Sequence, residues 1–296
     1  RAQIQHAWNK VARDAGAAGI EFVNEVDDEE VPPGINVLFP YLERGYLLVS
    51  DIGVAETNPL VGCRCDAMAG CDDAEASQCS CQAETEGGSA YTPQGLFKFN
   101  TDSEIIECNN YCECPPKCSN RVVQFPRRIP VHIFKTDKRG WGARVPVNLV
   151  RGRVIGIYTG RREEANKLDG SRASYCFDLD INEGPDEEPP ENMYSVDAYG
   201  CNWTRFINHS CSPNLQIISV VYDTAPQDNL PYLAFVATQN IPAFTELTFD
   251  YNPAHQTEWE LRTYKEKTRA KKSKAKKQTR CLCGTSQCRG WLSVIA

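Results

Sequence analysis

The chain has 296 residues, 41% of them hydrophobic, and a formal net charge of −7 at pH 7. This length can bury a substantial core as one large or two smaller domains, and no apolar run approaches the roughly 18 to 20 residues that a membrane-spanning helix needs. Because the first residues also lack the apolar block of a secretory signal, we expect an intracellular protein whose 15 cysteines bind metal rather than form disulfides.

The first 16 residues have the spacing of a short amphipathic helix. Ile4, Trp8, Val11 and Ala15 recur at helical intervals, and Gly16 follows them where a helix would end. We therefore predict a helix that packs on the body of the protein, within an N-terminal segment of residues 1–52.

Nine cysteines lie in two groups between residues 53 and 128. Structural zinc takes four tetrahedral ligands, so nine thiolates satisfy three zinc ions if three of the cysteines bridge two ions each. Such a cluster would carry a net charge of about −3, which makes Arg64, Lys117 and Arg121 useful neighbours. The predicted ligands are Cys63, Cys65, Cys71, Cys79, Cys81, Cys108, Cys112, Cys114 and Cys118.

Residues 129–252 are typical of a mainly β domain. Short runs rich in β-branched and aromatic residues alternate with Gly, Pro, Asn or Asp, which is the pattern of strands bounded by turns. The predicted strands lie in RVIGIYTG, SYCFDLDI, NLQIISVVYD, YLAFVATQNI and ELTFDYN.

The stretch RFINHSCSPN, which starts at Arg205, places Asn208, His209 and Cys211 close together. A cysteine hydrolase needs a thiolate, a base and an orienting group, but these groups usually come from distant parts of the sequence. Adjacency is therefore weak evidence for a nucleophile. A zinc-bound thiolate would not be available for this chemistry, so the question depends on the remaining cysteines.

Three of those cysteines lie near the C-terminus in CLCGTSQC, within a predicted unit of residues 281–296. Cys281, Cys283 and Cys288 are one ligand short of a closed structural zinc site. The candidates for the fourth ligand are Cys176, Cys201 and Cys211, of which Cys176 lies in a strand-like apolar run where a buried, inert cysteine is expected. Cys211 lies in a polar loop, and we predict it as the fourth ligand.

A basic insert of residues 253–280 precedes these cysteines. Residues 262–280 hold ten Lys or Arg and one Glu, so the remaining chain carries about −16. The acidic body indicates a basic partner such as a cationic peptide, although acidity also favours solubility. The insert is polar enough to be mobile and is typical of a solvated linker or a non-specific DNA contact.

Four motifs in order resemble the SET-domain protein lysine methyltransferases. They are the nine-cysteine block, RFINHSCSPN, ELTFDYN and CLCGTSQCRGWL, and together they resemble the subfamily with pre-SET and post-SET elements that methylates lysine 9 of histone H3. The resemblance implies a SET domain of small curved sheets around a knot-like crossing, flanked by a pre-SET zinc cluster and a short zinc-bound post-SET. It implies methyl transfer from S-adenosyl-L-methionine to the histone H3 tail in nuclear chromatin, with heterochromatin formation and no membrane association.

The resemblance also assigns individual residues. Tyr251 matches the catalytic tyrosine, Tyr158 and Tyr175 match the channel for the target lysine, and Phe249 leaves room for di- and trimethyl-lysine. A lysine has a reference pKa of about 10.4, and an apolar channel beside a positive sulfonium would lower that pKa towards a reactive, neutral amine. The implied cofactor-site residues are Gly140, Trp141, Gly142, Arg205, Asn208, His209 and Trp291, the last as part of a closing lid.

Three alternatives stay open at this level. The protein could be an inactive zinc-stapled module that binds a histone tail, although its intact NHS and DY motifs favour catalysis. It could be a cysteine hydrolase that uses Cys211 and His209. Finally, the insert contains Ala270, Lys271, Lys272 and Ser273, a pattern similar to the histone tail, so it could occupy the substrate groove as a pseudosubstrate instead of binding DNA.

Overall fold

The computed structural model describes residues 1–36, 38–48, 62–65, 71, 79–164, 176–178, 194–197, 202–223, 231–251 and 279–292. Tyr175, Cys201 and residues 252–278 lie outside this part of the chain, so the predictions made for them stay untested. The helices are α1 (Ala2–Asp14), α2 (Ser80–Glu84) and a 3-10 turn (Trp203–Phe206). The strands are β1 (Ile20–Val23), β2 (Tyr46–Leu48), β3 (Ile105–Ile106), β4 (Val131–Lys135), β5 (Trp141–Arg144), β6 (Val154–Ile157), β7 (Gly160–Glu164), β8 (Cys176–Asp178), β9 (Tyr194–Asp197), β10 (Asn208–His209), β11 (Leu215–Val221), β12 (Tyr232–Ala237), β13 (Glu246–Phe249), β14 (Thr279–Arg280) and β15 (Trp291–Leu292).

The described residues confirm a mainly β fold of small sheets. Each of the five runs predicted as strands contains one, namely β6, β8, β11, β12 and β13. No described helix has the length and apolar content that crossing a membrane requires.

The N-terminal helix is confirmed, but its buried face differs from the prediction. Ile4, Trp8 and Ala12 are buried, whereas Val11 is 37% exposed. The buried residues are therefore spaced four apart and lie on one face of the helix. The large ring of Trp8 determines which face packs on the core. That ring lies 4.6 Å from the ring of Tyr41, measured between centroids.

The N-terminal segment is an integral part of the β domain's framework. Strand β1 pairs in parallel with β4, aligning Ile20 with Val131. A buried ion pair joins Glu43 to Arg127 with 3.0 Å between Oε1 and Nε, and the Tyr41 hydroxyl also donates to Glu43. Buried charges need such partners, so these bonds fix the segment to the start of the β domain.

The central sheet brings together motifs that are distant in the sequence. Its strand order is β1-β4-β5-β13-β10, in which β10 runs parallel to β13. This pairing aligns Asn208 with Thr248 and His209 with Phe249. The Asn-His motif and the strand that leads to Tyr251 are therefore neighbours.

Two further sheets complete the framework around this pair. One has the order β3-β11-β12-β6 and the other β2-β7-β9-β8. Leu215, Leu233, Phe235 and Leu247 are almost fully buried in one continuous apolar cluster that also contains Trp8. This shared core fixes β10 and β13 against the rest of the body.

Candidate functional site

The nine-cysteine block folds into overlapping groups of thiols. Three groups of four have sulfurs within 4.8 Å of one another: Cys63, Cys108, Cys112, Cys114; Cys63, Cys71, Cys79, Cys108; and Cys71, Cys108, Cys114, Cys118. Cys108 belongs to all three groups, and such sharing is what a cluster of more than one ion requires. The donors are all thiols and nearly all buried, a set that suits structural zinc.

The two other predicted ligands lie beside these groups. Cys81 Sγ is 3.6 Å from Cys112 Sγ, and Cys65 is buried in the same cluster. Of the predicted cationic neighbours, Arg121 is buried, with Nη2 3.7 Å from Cys114 Sγ, whereas Arg64 and Lys117 are exposed. Arg121 therefore offsets part of the thiolate charge from inside the fold.

The C-terminal cysteines meet the predicted fourth ligand. Cys211, Cys281, Cys283 and Cys288 have sulfurs within 4.8 Å of one another. The backbone N–H of Arg289 donates to Cys211 Sγ at 3.3 Å, which connects the C-terminal segment to the loop after β10. The arrangement has the ligand number and chemistry of a closed zinc site, so it does not favour Cys211 as a hydrolase nucleophile.

A side chain would have different consequences at Gly140 and at Gly142. Gly140 has φ of +69° and no atom within 4 Å of the position that a Cβ would take, so it combines a left-handed turn with open space. A Cβ on Gly142 would lie 2.9 Å from Glu246 Oε1. A side chain at Gly142 would thus press on Glu246, whereas one at Gly140 would meet no described atom but would strain the backbone.

Asn208 is held by a carboxylate that the sequence did not single out. Its Nδ2 donates to Glu246 Oε1 at 2.8 Å and to the backbone oxygen of Trp141 at 3.3 Å. Glu246 also forms an ion pair with Arg139. Both amide protons are thus used within the protein, so the amide oxygen of Asn208 is the group that can accept a hydrogen bond from a ligand.

His209 connects the predicted cofactor segment to Tyr251 and to the C-terminal thiol group. Its Nδ1 accepts a hydrogen bond from the backbone N–H of Tyr251 at 3.2 Å, and its Nε2 lies 3.2 Å from Cys211 Sγ. The ring is buried, and this burial lowers its pKa, opposed by the nearby carboxylate of Asp250. A neutral imidazole fits the acceptor role of Nδ1.

Aromatic rings line up behind Tyr251. Phe249 lies 4.8 Å from Tyr251 and 5.2 Å from Phe235, and Tyr158 lies 6.2 Å from Phe235, all between ring centroids. The Tyr251 hydroxyl donates to the backbone oxygen of Ile207 at 3.0 Å. Aromatic faces of this kind accommodate the aliphatic stem of a lysine and a cationic group.

Sequence reasoning missed Phe235 in this series. It is fully buried in β12, where Ala234 pairs with Ile157 immediately before Tyr158. The only signal was its inward position in an apolar strand, which many core residues share. Pairing between β12 and β6 was needed to place it.

Arg205 and Trp291, two further predicted cofactor-site residues, have neighbours from different segments of the chain. The Arg205 guanidinium lies 5.7 Å from the ring of Phe39 and 5.4 Å from that of Phe206, so the N-terminal segment borders this residue. Trp291 is 56% exposed in β15, which pairs with β14 through Arg280. A role for Trp291 in a closing lid stays a prediction.

The acidic stretch of the N-terminal segment also reaches the site. Glu29 accepts a hydrogen bond from Trp141 Nε1 at 2.8 Å and forms an ion pair with Lys135, which also pairs with Asp27. The bond from Lys135, followed by that from Trp141, lowers the pKa of Glu29. These contacts connect a segment of unassigned role to the predicted cofactor loop.

Family models match most of this architecture. A model described as the Pre-SET motif matches residues 12–121, and one described as the SET domain matches residues 140–252. A Schizosaccharomyces pombe protein named as an H3 lysine-9 specific histone-lysine N-methyltransferase is 36% identical over 96% of this chain and 57% of its own length. The Neurospora crassa protein of the same description, dim-5, is 34% identical over 92% of this chain and 88% of its own length.

Solved structures agree with these relatives. Arabidopsis thaliana SUVH6 in complex with S-adenosylmethionine has a TM-score of 0.73 and 31% identity, over 95% of this chain and 55% of that one. KRYPTONITE in complex with DNA, an H3(1-15) peptide and S-adenosylhomocysteine has a TM-score of 0.71 and 27% identity, over 92% of this chain and 51% of that one. The chain thus spans little more than half the length of several proteins that it matches.

Proposed function

This chain belongs to the pre-SET and SET family of histone-lysine N-methyltransferases, and from that premise we propose that it methylates lysine 9 of the histone H3 tail with S-adenosyl-L-methionine as methyl donor. The observation that carries the proposal is the parallel pairing of Asn208–His209 with Thr248–Phe249. This pairing supports the proposal because the predicted cofactor residues Asn208 and His209 then lie beside β13, and the predicted catalytic Tyr251 follows two residues after β13 ends.

The cofactor would bind along the loop at Gly140 and Trp141, against Asn208 and His209. When bound, S-adenosyl-L-methionine supplies an activated methyl group on a positive sulfonium, together with its own leaving group. The chain must align the target amine, exclude water and favour the neutral form of the lysine. The open space at Gly140 and the amide oxygen of Asn208, for which the described residues provide no donor, fit a ligand that carries hydrogen-bond donors.

The aromatic series performs the alignment. Phe249 and Tyr158 are each 4% exposed, so a lysine side chain that reaches them leaves water and its ammonium form is disfavoured. Tyr251 is 36% exposed, and its hydroxyl donates its proton to the backbone oxygen of Ile207. A tyrosine hydroxyl oxygen can also accept a hydrogen bond, which is the contact that would orient an incoming amine.

The number of methyl groups that the target lysine can receive depends on Phe249. A phenylalanine lacks the hydroxyl that would crowd the channel or hold a water, so the site accommodates successive methyl groups and yields di- and trimethyl-lysine. Burial of Phe249 between the rings of Phe235 and Tyr251 supports this role, because an added hydroxyl would have to fit among packed rings.

The partner is the histone H3 tail presented on the nucleosome, in nuclear chromatin. We assign residues 1–52 to a segment packed on the body, 53–128 to the pre-SET cluster, 129–252 to the SET domain and 281–296 to the post-SET. The basic insert at 253–280 would provide a non-specific contact with nucleosomal DNA.

The deciding experiment combines labelled S-adenosyl-L-methionine with H3 tail peptides. We expect transfer to the native peptide, none to a peptide whose lysine 9 is replaced by arginine, and loss of transfer in Tyr251→Phe despite retained cofactor binding. Peptide binding without transfer in the intact protein would favour the inactive binding module. Transfer to a different lysine would reject the assigned position but not the activity.

A further inference from the structure

A concave site with a lining distinct from the predicted active-site residues lies on the body. We name it the junction groove: a cavity of about 690 Å³ between residues 121–129 and 147–157, bordered by Glu43, Arg44, Gln94 and Lys117. None of its lining residues is a predicted cysteine ligand, cofactor residue or channel residue. It therefore needs an explanation of its own.

The lining is strongly basic although the chain as a whole is acidic. Six cationic side chains face the groove, and the only carboxylate among the lining residues is Glu43. That carboxylate is already paired with Arg127 and accepts from Tyr41. Arg121 is likewise used, since it contacts Cys114 and the backbone oxygen of Asn109.

Four cations remain for a ligand. Lys117 and Arg128 are exposed, Arg153 is half-buried, and none of the three has an ion pair within the described part of the chain. Arg44 donates to two neutral acceptors, the backbone oxygen of Val123 and the hydroxyl of Tyr222. Positive charges gathered in a concavity attract an anionic partner, and they repel one another without it.

The groove is also apolar. Phe125, Val147 and Val150 line it and are 44%, 41% and 46% exposed, while buried aliphatic side chains such as Leu149 and Ile155 form its floor. Exposed apolar residues that cluster in a concavity mark a binding surface more than scattered ones do. An inorganic anion would not cover these side chains.

We propose that the junction groove binds an acidic peptide segment with interspersed apolar side chains, contributed by a separate protein. The apolar residues of the segment would cover Phe125, Val147 and Val150, and its carboxylates would pair with Arg128, Arg153 and Lys117. The groove would then anchor a partner while the active site remains open to the histone tail.

Charge and shape together favour this occupant over duplex DNA. Phosphates would satisfy the cations, but a duplex is a convex rod whose charged backbone would lie over the rim and leave the apolar floor uncovered. The basic histone tail is excluded by charge. A second copy of this chain is distinguished from a separate protein by the self-association measurement described below.

The test uses a short fluorescein-labelled peptide in which Asp or Glu alternates with Leu or Phe, titrated with the intact protein by fluorescence anisotropy. We expect saturable binding that weakens as salt increases. The double variant Arg128→Glu with Arg153→Glu should weaken it by at least about tenfold, because two attractive charges become repulsive. Phe125→Ser with Val150→Ser should also weaken it, with less effect on the salt dependence.

A matched control changes net charge equally outside the groove. Arg13 and Lys98 are both exposed and do not line the cavity, so Arg13→Glu with Lys98→Glu should leave peptide binding nearly unchanged. Equal losses in the control would mean that net charge alone attracts the peptide. Methylation of free H3 peptide should be unchanged in all of these variants, which confirms that each has folded and separates this proposal from the proposed activity.

Three results would overturn the proposal. Absence of saturable peptide binding removes it outright. The groove would be reassigned to nucleic acid if the protein binds a short DNA duplex but not the peptide, and if Arg128→Glu with Arg153→Glu abolishes the DNA binding. The groove would be reassigned to a second copy of the chain if the protein does not bind the peptide but self-associates in sedimentation, and if the same double variant abolishes that self-association.

Discussion

The two cysteine-rich regions differ in how their ligands reach one another. The nine cysteines of the pre-SET cluster all come from residues 63–118, and eight of them are buried. The C-terminal site joins Cys211 to Cys281 across 70 residues of sequence, and only Cys281 is buried among its four ligands. The first region is locally encoded and closed, whereas the second exists only when distant segments have already met.

This difference indicates different roles for metal in the two regions. Thiols packed at the cluster replace a hydrophobic core for that part of the chain, so zinc there contributes directly to folding. Metal at the C-terminal site instead fixes Cys211, two residues from His209, to a segment that carries Trp291. Its loss should affect catalysis before it affects the stability of the body.

The largest expected effect is that of Cys108→Ser. Cys108 belongs to all three overlapping thiol groups, so its loss should destabilise the protein by at least about 3 kcal/mol and lower zinc content by more than one ion. Thermal unfolding together with elemental analysis measures both. Cys65→Ser is the matched control, since Cys65 lies outside those groups, and it should be milder; equal damage would contradict the central position of Cys108.

Cys211→Ser should reduce activity by about 100-fold or more while the body stays folded, because it opens the site that adjoins His209. Kinetics with H3 peptide and thermal unfolding separate these outcomes, and Ser212→Ala is the neighbouring control. A parallel fall in unfolding temperature and activity would remove the distinction between the two regions. Normal activity would reject Cys211 as a ligand.

Zinc removal tests the same contrast without mutation. We predict four zinc ions per chain, three in the pre-SET cluster and one held by Cys211, Cys281, Cys283 and Cys288. Mild chelation should remove one equivalent with loss of activity but little loss of structure, because the exposed site releases metal first. Elemental analysis that finds fewer than four ions in fully active protein would reject the count.

Glu29→Ala tests the contact between the N-terminal segment and Trp141, which depends on a carboxylate instead of a metal ion. We expect the Michaelis constant for S-adenosyl-L-methionine to rise by about tenfold or less, since Trp141 loses its hydrogen-bond acceptor. Glu29→Gln keeps an acceptor and should recover part of the loss, and Glu30→Ala should have little effect. If the glutamine and alanine variants behave alike, the ion pair with Lys135 is what matters.

Phe249→Tyr should have the smallest effect on rate and stability and the clearest effect on products. The added hydroxyl narrows the channel, so we expect a shift from di- and trimethyl-lysine towards mono- and dimethyl-lysine in mass spectra. Zinc content should be unchanged, which isolates the channel from both cysteine regions. An unchanged product distribution would mean that Phe249 does not limit the space for the amine.

Much of the site was readable from the sequence because it is encoded in short motifs. Cysteine spacing predicted the thiol groups, since tetrahedral metal sites need pairs of ligands at close intervals. Strand runs were also predictable, because alternation and β-branched residues reflect local backbone preferences. Even the choice of Cys211 over Cys176 followed from local polarity.

Other parts could not be predicted because they depend on which distant segments pack together. Glu246 holds Asn208 only because β13 lies between β5 and β10, and Glu29 reaches Trp141 only because β1 pairs with β4. The misassigned Val11 shows the same limit, since helical spacing identifies a face but not the side that the core selects.

The sequence by itself thus identified the cysteines that gather in thiol groups, the strand runs and the motif residues that the proposed reaction uses, because each follows from local spacing and residue chemistry. Only the tertiary structure decided how the N-terminal segment supports the cofactor loop, how Phe235 joins the aromatic series, and that spare cations gather at the junction groove. Those features arise from pairing and burial between residues far apart in the chain, and their free energies are realised only when the whole core has formed.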